Sequence, residues 1–275
     1  MVNCEPHIKK QGAGTADKYI MKRICIICII AASVGVFSSA SLSQEDRKIE
    51  LNAQGILARV DRFFEYPRGL LKGVIKHIRP DGSALNIYLT GRITQEDFLF
   101  TFNTHERGDQ MKVLYNLGGE DIWVYNLHEL KMFHKMGIDK FDEVLATNYS
   151  FTDLSNVDFQ SNYTATITGE AVVKGSDVYT LVLKPIAKGG EYGQLTLYVT
   201  KDKFIPLRID YHDRDKVIFK FLSVVKVKEN GSRVVPVRYD MMNIRQGTVT
   251  VFSISDIDEN AAFNPEIFRP ERLGE

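Results

Sequence analysis

The sequence predicts a mainly β protein, a large antiparallel sheet with a helical cover. Three observations predict it. One long amphipathic helix precedes everything else that is regular, a long series of strand-like segments follows, and a single aromatic, irregular stretch interrupts that series.

The helix is read from about Gln44 to Phe64. Ser43 can cap it, and Glu45 and Asp46 fall in the first turn, where the helix dipole favours negative charge. Ile49, Ala53, Ile56, Leu57, Val60, Phe63 and Phe64 recur at three-and-four spacing, which puts them on one buried face. Gly55 weakens the helix by about 1 kcal/mol relative to Ala. Tyr66-Pro67-Arg68-Gly69 ends it.

After Gly69 the pattern changes to strands. They are expected at Leu70–Ile78, Ala84–Thr90, Phe98–Asn103, Gln110–Leu117, Asp121–Asn126 and Lys131–Lys135. They resume at Tyr163–Val173, Val178–Lys184, Gln194–Thr200, Leu207–Tyr211, Val217–Lys228, Arg233–Met242 and Thr248–Asp256. Pro80-Asp81-Gly82, Gly118-Gly119, Lys174-Gly175-Ser176 and Gly189-Gly190 separate them, and Asn230-Gly231 is the best hairpin signal. Such a series implies a sandwich, a barrel or one curved sheet. Between the two runs, Ile138 to Ala146 suits a short helix with Phe141, Val144 and Leu145 on one side. Tyr149 to Leu154 is then aromatic but irregular, and too long for a simple turn. One helix and a short insert cannot cover the inner face of so many strands tightly. Either the sheet closes on itself or it leaves an apolar cavity.

The N-terminus carries a targeting pattern. Met21-Lys22-Arg23 is basic, Ile24 to Val36 is apolar, and Ser38-Ser39-Ala40 are small, the order of a secretory signal. The apolar run is about 13 residues, short of the roughly 20 that span a bilayer. Cleavage is expected near Ala40, with Ser43 as second choice and an uncleaved anchor as the alternative. Residues 1–20 are then either an upstream extension or a mis-assigned start, residues 21–40 the signal, and 41–275 a single domain. Cys4, Cys25 and Cys28 all precede the cut, so the exported chain would hold no cysteine. The full chain has 35 basic and 35 acidic residues. No basic field advertises nucleic acid, and loss of residues 1–40 leaves a net charge of about −3.

Motifs for chemistry fail on inspection. His128-Glu129 begins a zinc-protease helix, but Met132 stands where the second His belongs. Asp256, Asp258 and Asn260 mimic half a calcium loop, yet Ala261 and Ile267 replace its Gly and Glu. Gly12 and Gly14 lack the third glycine of a dinucleotide turn. Asp61 with Glu65, and Asp213 with Asp215, read as charged surface. No enzyme, cofactor or metal is expected.

Gly119-Glu120-Asp121-Ile122-Trp123-Val124-Tyr125-Asn126 resembles the Trp-x-Tyr strand of the LolA-like family. Leu195 to Val199 with Phe204 to Tyr211 is similar to that family's strand–turn–strand pair. Ala146 to Leu154, and Phe263-Asn264-Pro265-Glu266-Ile267-Phe268, resemble its branch of outer-membrane lipoprotein-sorting proteins. The resemblance implies an unclosed antiparallel half-barrel with an α-helical lid. It implies a monomeric periplasmic carrier for acyl chains of lipoproteins or other lipids. The partners would be an inner-membrane ABC or RND-type exporter and an outer-membrane acceptor. Cavity and lid residues are then expected at Ile49, Ala53, Ile56, Val60, Phe63, Phe64, Trp123, Phe141, Leu145, Tyr149, Phe151 and Leu154. Arg79 or Arg92 would hold the lid. The alternatives are an RseB-like lipid-sensing regulator and a structural β-protein without ligand.

Overall fold

The computed structural model describes residues 52–104, 110–155, 158–230 and 233–275. The signal sequence, its cleavage site, the three cysteines, Ile49 and the Ser43 cap therefore lie outside the described residues.

Helix α1 (Ala53–Phe64) begins later than expected. Asn52 has extended backbone angles and its side chain accepts from the Gly55 N–H at 2.8 Å, so a helix terminus stands there. Ile56, Leu57, Val60 and Phe63 form its buried face. The Glu65 N–H closes the last turn on the Asp61 carbonyl, and Pro67 bars continuation.

The strands are β1 (Gly69–Ile78), β2 (Ala84–Ile93), β3 (Phe98–Asn103), β4 (Gln110–Asn116), β5 (Asp121–Asn126) and β6 (Lys131–Lys135). The second run holds β7 (Tyr163–Val173), β8 (Ser176–Pro185), β9 (Gln194–Thr200), β10 (Pro206–His212), β11 (Ile218–Asn230), β12 (Arg233–Asn243) and β13 (Thr248–Asp258). β3, β5, β6, β7 and β9 coincide with the expected spans, and the others differ by one to three residues at their ends. Lys174 and Gly175, at φ 51° and 79°, supply the left-handed pair a two-residue hairpin needs. β11 and β12 also form a hairpin, paired up to Asn230 opposite Arg233; Gly231 of the expected turn lies outside the described residues.

All thirteen strands form one antiparallel sheet, in the order β6-β5-β4-β3-β2-β1-β13-β12-β11-β10-β9-β8-β7. Each run is a meander, and the two meanders join where β1 pairs with β13. β6 and β7 are the two free edges, so the sheet is unclosed: the LolA-like half-barrel rather than a sandwich or closed barrel. The chain between β6 and β7 must travel from one edge to the other, and it does so across the inner face.

That face carries the larger core. Period-two alternation sends Leu85, Ile87, Leu89 and Ile93 inward from β2, and Phe98, Phe100 and Phe102 inward from β3. Gly91 continues the inward row of β2. A Cβ there would lie 2.7 Å from the Phe100 ring, so the missing side chain is what lets that ring lie across the strand. The outer face has a smaller core, in which Leu99 and Leu114 meet Phe268 and Leu273 from the 3-10 turns at Pro265–Phe268 and Pro270–Arg272.

Candidate functional site

The insert is built of 3-10 turns at Gly137–Phe141 and Val144–Ala146, an irregular stretch to Ser155, and the short helix α2 (Phe159–Asn162). The single α-helix expected over 138–146 does not form. Leu145 and Ala146 take left-handed angles, φ 50° and 55°, which reverse the chain. Hydrogen bonds from Val144 N–H to the Tyr149 carbonyl and from Phe151 N–H to the Asp142 carbonyl close the resulting loop on itself. The stretch beyond the reversal is buried on the inner face: Thr147, Asn148, Tyr149, Ser150, Phe151 and Leu154.

Two buried side chains anchor it to the sheet. Asn148 uses both of its amide donors, to the Met241 and Thr248 carbonyls at 2.9 and 3.1 Å. It accepts from Thr248 Oγ1 at 2.7 Å, and its own N–H donates to Thr250 Oγ1 at 3.0 Å. Thr250 Oγ1 also meets His77 Nδ1 at 2.9 Å, and burial holds His77 below its ordinary range.

Asp153 is the second anchor. Its Oδ2 accepts from Lys220 Nζ at 2.7 Å and from the Ser150 N–H at 2.9 Å. Lys220 comes from β11 and is only 4% exposed. Glu191 lies 3.6 Å from the same ammonium and accepts from Ser150 Oγ at 2.9 Å. Tyr192 Oη is 2.7 Å from Asp153 Oδ1 and 2.6 Å from Glu191 Oε1. One phenol proton cannot serve both carboxyls. With Glu191 protonated, its hydroxyl donates to Tyr192 Oη and Tyr192 donates to Asp153, so every contact is made. The Glu191 carboxyl is accordingly pushed up to about 7, by burial first and by the Asp153 charge second, against the pull of Lys220.

A third tie joins insert and helix. Asp61 accepts from the Phe159 and Gln160 N–H groups at 2.9 and 3.0 Å, capping α2 from α1. It is not the solvated charge the sequence suggests, and burial raises its carboxyl to about 6.

Of the expected cavity residues, Ile56, Val60, Phe63, Tyr149, Phe151 and Leu154 are buried in the inner core, with Ala53, Phe64 and Leu145 packed against it. Phe141 lines a pocket of about 260 Å³ between the insert, α2 and the chain around Glu191. Trp123 is a correction. Ile122 and Val124 point inward, so Trp123 points to the outer face, where it packs with the second core and stacks on His134 at 4.0 Å. Among the described residues, neither arginine takes part in the two anchors of the insert. Arg79 sits in the β1–β2 turn near Ser83, and Arg92 lines an outer-face pocket with Lys112 and Leu273. The cation beneath the insert is Lys220. Its place among Ile218, Leu222 and Val224, at strand spacing, was the available signal. Among the described residues no cluster of three or more His, Cys, Asp or Glu could hold a metal. Among them, too, no helix is long and apolar enough to cross a membrane.

An unclosed antiparallel sheet whose inner face is filled by α1 and an edge-to-edge insert defines the LolA-like class of fold. A DUF1329 family protein from Desulfovibrio piger ATCC 29098 superposes with TM-score 0.68 at 22% identity, covering 80% of this chain and 97% of its own. A domain assigned to outer membrane lipoprotein sorting from Vibrio parahaemolyticus gives TM-score 0.70 at 17% identity, covering 81% and 98%. A LolA superfamily protein from Nitrosomonas europaea gives 0.66 at 18%, covering 81% and 100%. Residues 94–275 match a family model described as "Uncharacterized protein", and the chain belongs to that family. Comparison with curated protein sequences gives no match.

Lys220→Met removes the ammonium and leaves Asp153 buried without its charge partner. Breaking such a pair costs about 3–5 kcal/mol, read as a loss of unfolding free energy in urea. Adding Asp153→Asn should recover part of it; no loss in the single variant would show that the pair holds nothing.

The pH dependence has a definite sign. A carboxyl raised in the folded state contributes stability that is full below its ordinary range and is lost as pH rises through the folded value. The stability that Glu191 contributes should therefore fall between about pH 4.5 and about pH 7. Glu191→Gln should flatten the urea midpoint against pH over that window, and an unchanged slope would contradict the assignment.

Proposed function

We propose that the chain is a periplasmic lipid carrier. It takes acyl chains of lipoproteins, or of other lipids, onto the inner face of the half-barrel for transfer to the outer membrane. The observation that supports this best is what covers that face. An irregular segment with aromatic side chains lies there, and its polar grip on the sheet runs through Asn148 and Asp153. Ile56, Val60, Phe63 and Phe64 of α1, with Leu145, Tyr149, Phe151 and Leu154 of the insert, are the proposed lipid contacts, and Phe141 stands at the entrance.

The energetics suit exchange. Each large apolar side chain leaving the core forfeits about 1.5–3 kcal/mol, and each buried CH₂ of an incoming chain returns about 0.8 kcal/mol. Displacing a few insert side chains with one acyl chain is thus close to balanced, which a carrier needs in order to load and to release. Loading from an inner-membrane ABC or RND-type exporter and delivery to an outer-membrane acceptor complete the reading.

The test is the lipid content of the full chain purified without detergent, extracted and measured by mass spectrometry, together with displacement of a fluorescent acyl probe. Acyl-bearing lipid near one per chain and saturable displacement are expected. Lipid-free protein that takes up no acyl probe would overturn the proposal.

A further inference from the structure

The pocket of about 260 Å³ is smaller than the roughly 300–1,000 Å³ of pockets that enclose whole ligands. It has room for a head group rather than a lipid. Its walls are aromatic, formed by Phe141, Phe159, Tyr163, Tyr192 and Tyr211. Its charged lining consists of Asp153, Asp158 and Glu191, with no Lys, Arg or His among the described lining residues. Aromatic faces with carboxylates are the surroundings that hold organic cations.

The protein already shows this chemistry with its own cation. Lys220 Nζ lies 4.7 Å from the Tyr192 ring centre and 5.0 Å from that of Tyr211, between Asp153 and Glu191. When Glu191 is ionised, Lys220 sets one positive charge against two carboxylates, and Asp158 adds a third at the exposed rim. A second observation points inward from the pocket. Asp153, Phe159 and Tyr211 also line a smaller space of about 30 Å³, and Tyr149 lines it too. The Tyr149 hydroxyl is buried and has no hydrogen-bond partner. A ligand passing from the pocket toward the inner face would meet it.

We propose that this pocket binds the ammonium head of an amphiphile, with the head at Glu191 and Asp158 and the tail directed beneath the insert. The tail rests on the lipid-carrier reading; the head-group preference rests on the pocket alone. The ammonium can be primary or quaternary, and the tests keep these apart.

The experiment is isothermal titration of the full chain at neutral pH and physiological salt. The ligands are dodecylammonium, dodecyltrimethylammonium, dodecyl maltoside and dodecanoate, each below micellar concentration, with butylammonium as a tail-less control. At least one of the two cationic ligands should bind about ten-fold more tightly than dodecanoate, the scale of one desolvated cation–aromatic contact. Glu191→Gln and Asp158→Asn should each shrink that preference; both keep side-chain shape, and Asn at 158 can still cap α2. Thermal melting confirms that each variant is folded. Dodecanoate binding as tightly as the cations, or a preference unchanged in both variants, would overturn the inference. Equal binding of all four chains would overturn it while leaving the carrier reading intact. Absence of binding by every amphiphile would overturn both, and butylammonium binding as tightly as dodecylammonium would overturn the amphiphile assignment.

Discussion

A sheet whose two edges do not meet has an inner face with no second sheet to cover it. Here that face carries rows of Phe, Leu and Ile, and exposing them to water would cost about 25 cal/mol for each Å² of apolar surface. The rest of the structure answers this constraint. α1 covers part of the face, with contacts to β7 and β12. The chain between β6 and β7 has to cross from edge to edge, and its route over the inner face covers much of what α1 leaves. Topology and burial thus select the same segment.

The way the insert is held differs from ordinary core packing. Its aromatic side chains supply area, but Asn148, Asp153 and Ser150 supply registry by hydrogen bonding to the sheet and to the β8–β9 connection. Buried polar groups are costly when unpaired, so this arrangement favours one fully seated position over a range of loose ones. It also makes the seat sensitive to charge. Two carboxyls share one ammonium, and burial sets the Glu191 carboxyl where it titrates near neutrality. A segment held by packing alone would have no such dependence.

Most strands were legible because they are short runs of β-branched and aromatic residues separated by turns rich in Gly, Pro, Asn or Asp. The family resemblance then selected the open half-barrel among the sheet forms that alternation left possible. The site was legible in part. Tyr149, Phe151 and Leu154 stand out as aromatic and aliphatic residues in a stretch without period. A lysine in a strand normally faces water, and only the parity of Lys220 with Leu222 and Val224 marks it as inward. Trp123 was misplaced for a related reason. The C-terminal 3-10 turns bury the outer face of β3 to β5, so both faces there are apolar and hydrophobicity no longer reports parity. Arg92, by contrast, alternates with Leu89, Gly91 and Ile93, and its outward position follows from that spacing. α1 has a cap at Asn52, a residue type that caps helices as well as the expected Ser43, and local sequence cannot rank the two.

The central claim is that the insert is a cover that lipid can displace rather than a permanent part of the core. Hydrogen–deuterium exchange of the full chain, with and without a bound lysophospholipid, tests it most directly. The account predicts faster exchange for residues 142–155 than for β4 and β9 in the empty protein, and a change on lipid binding concentrated in the insert and α1. An insert that exchanges as slowly as those strands and is indifferent to lipid would contradict it.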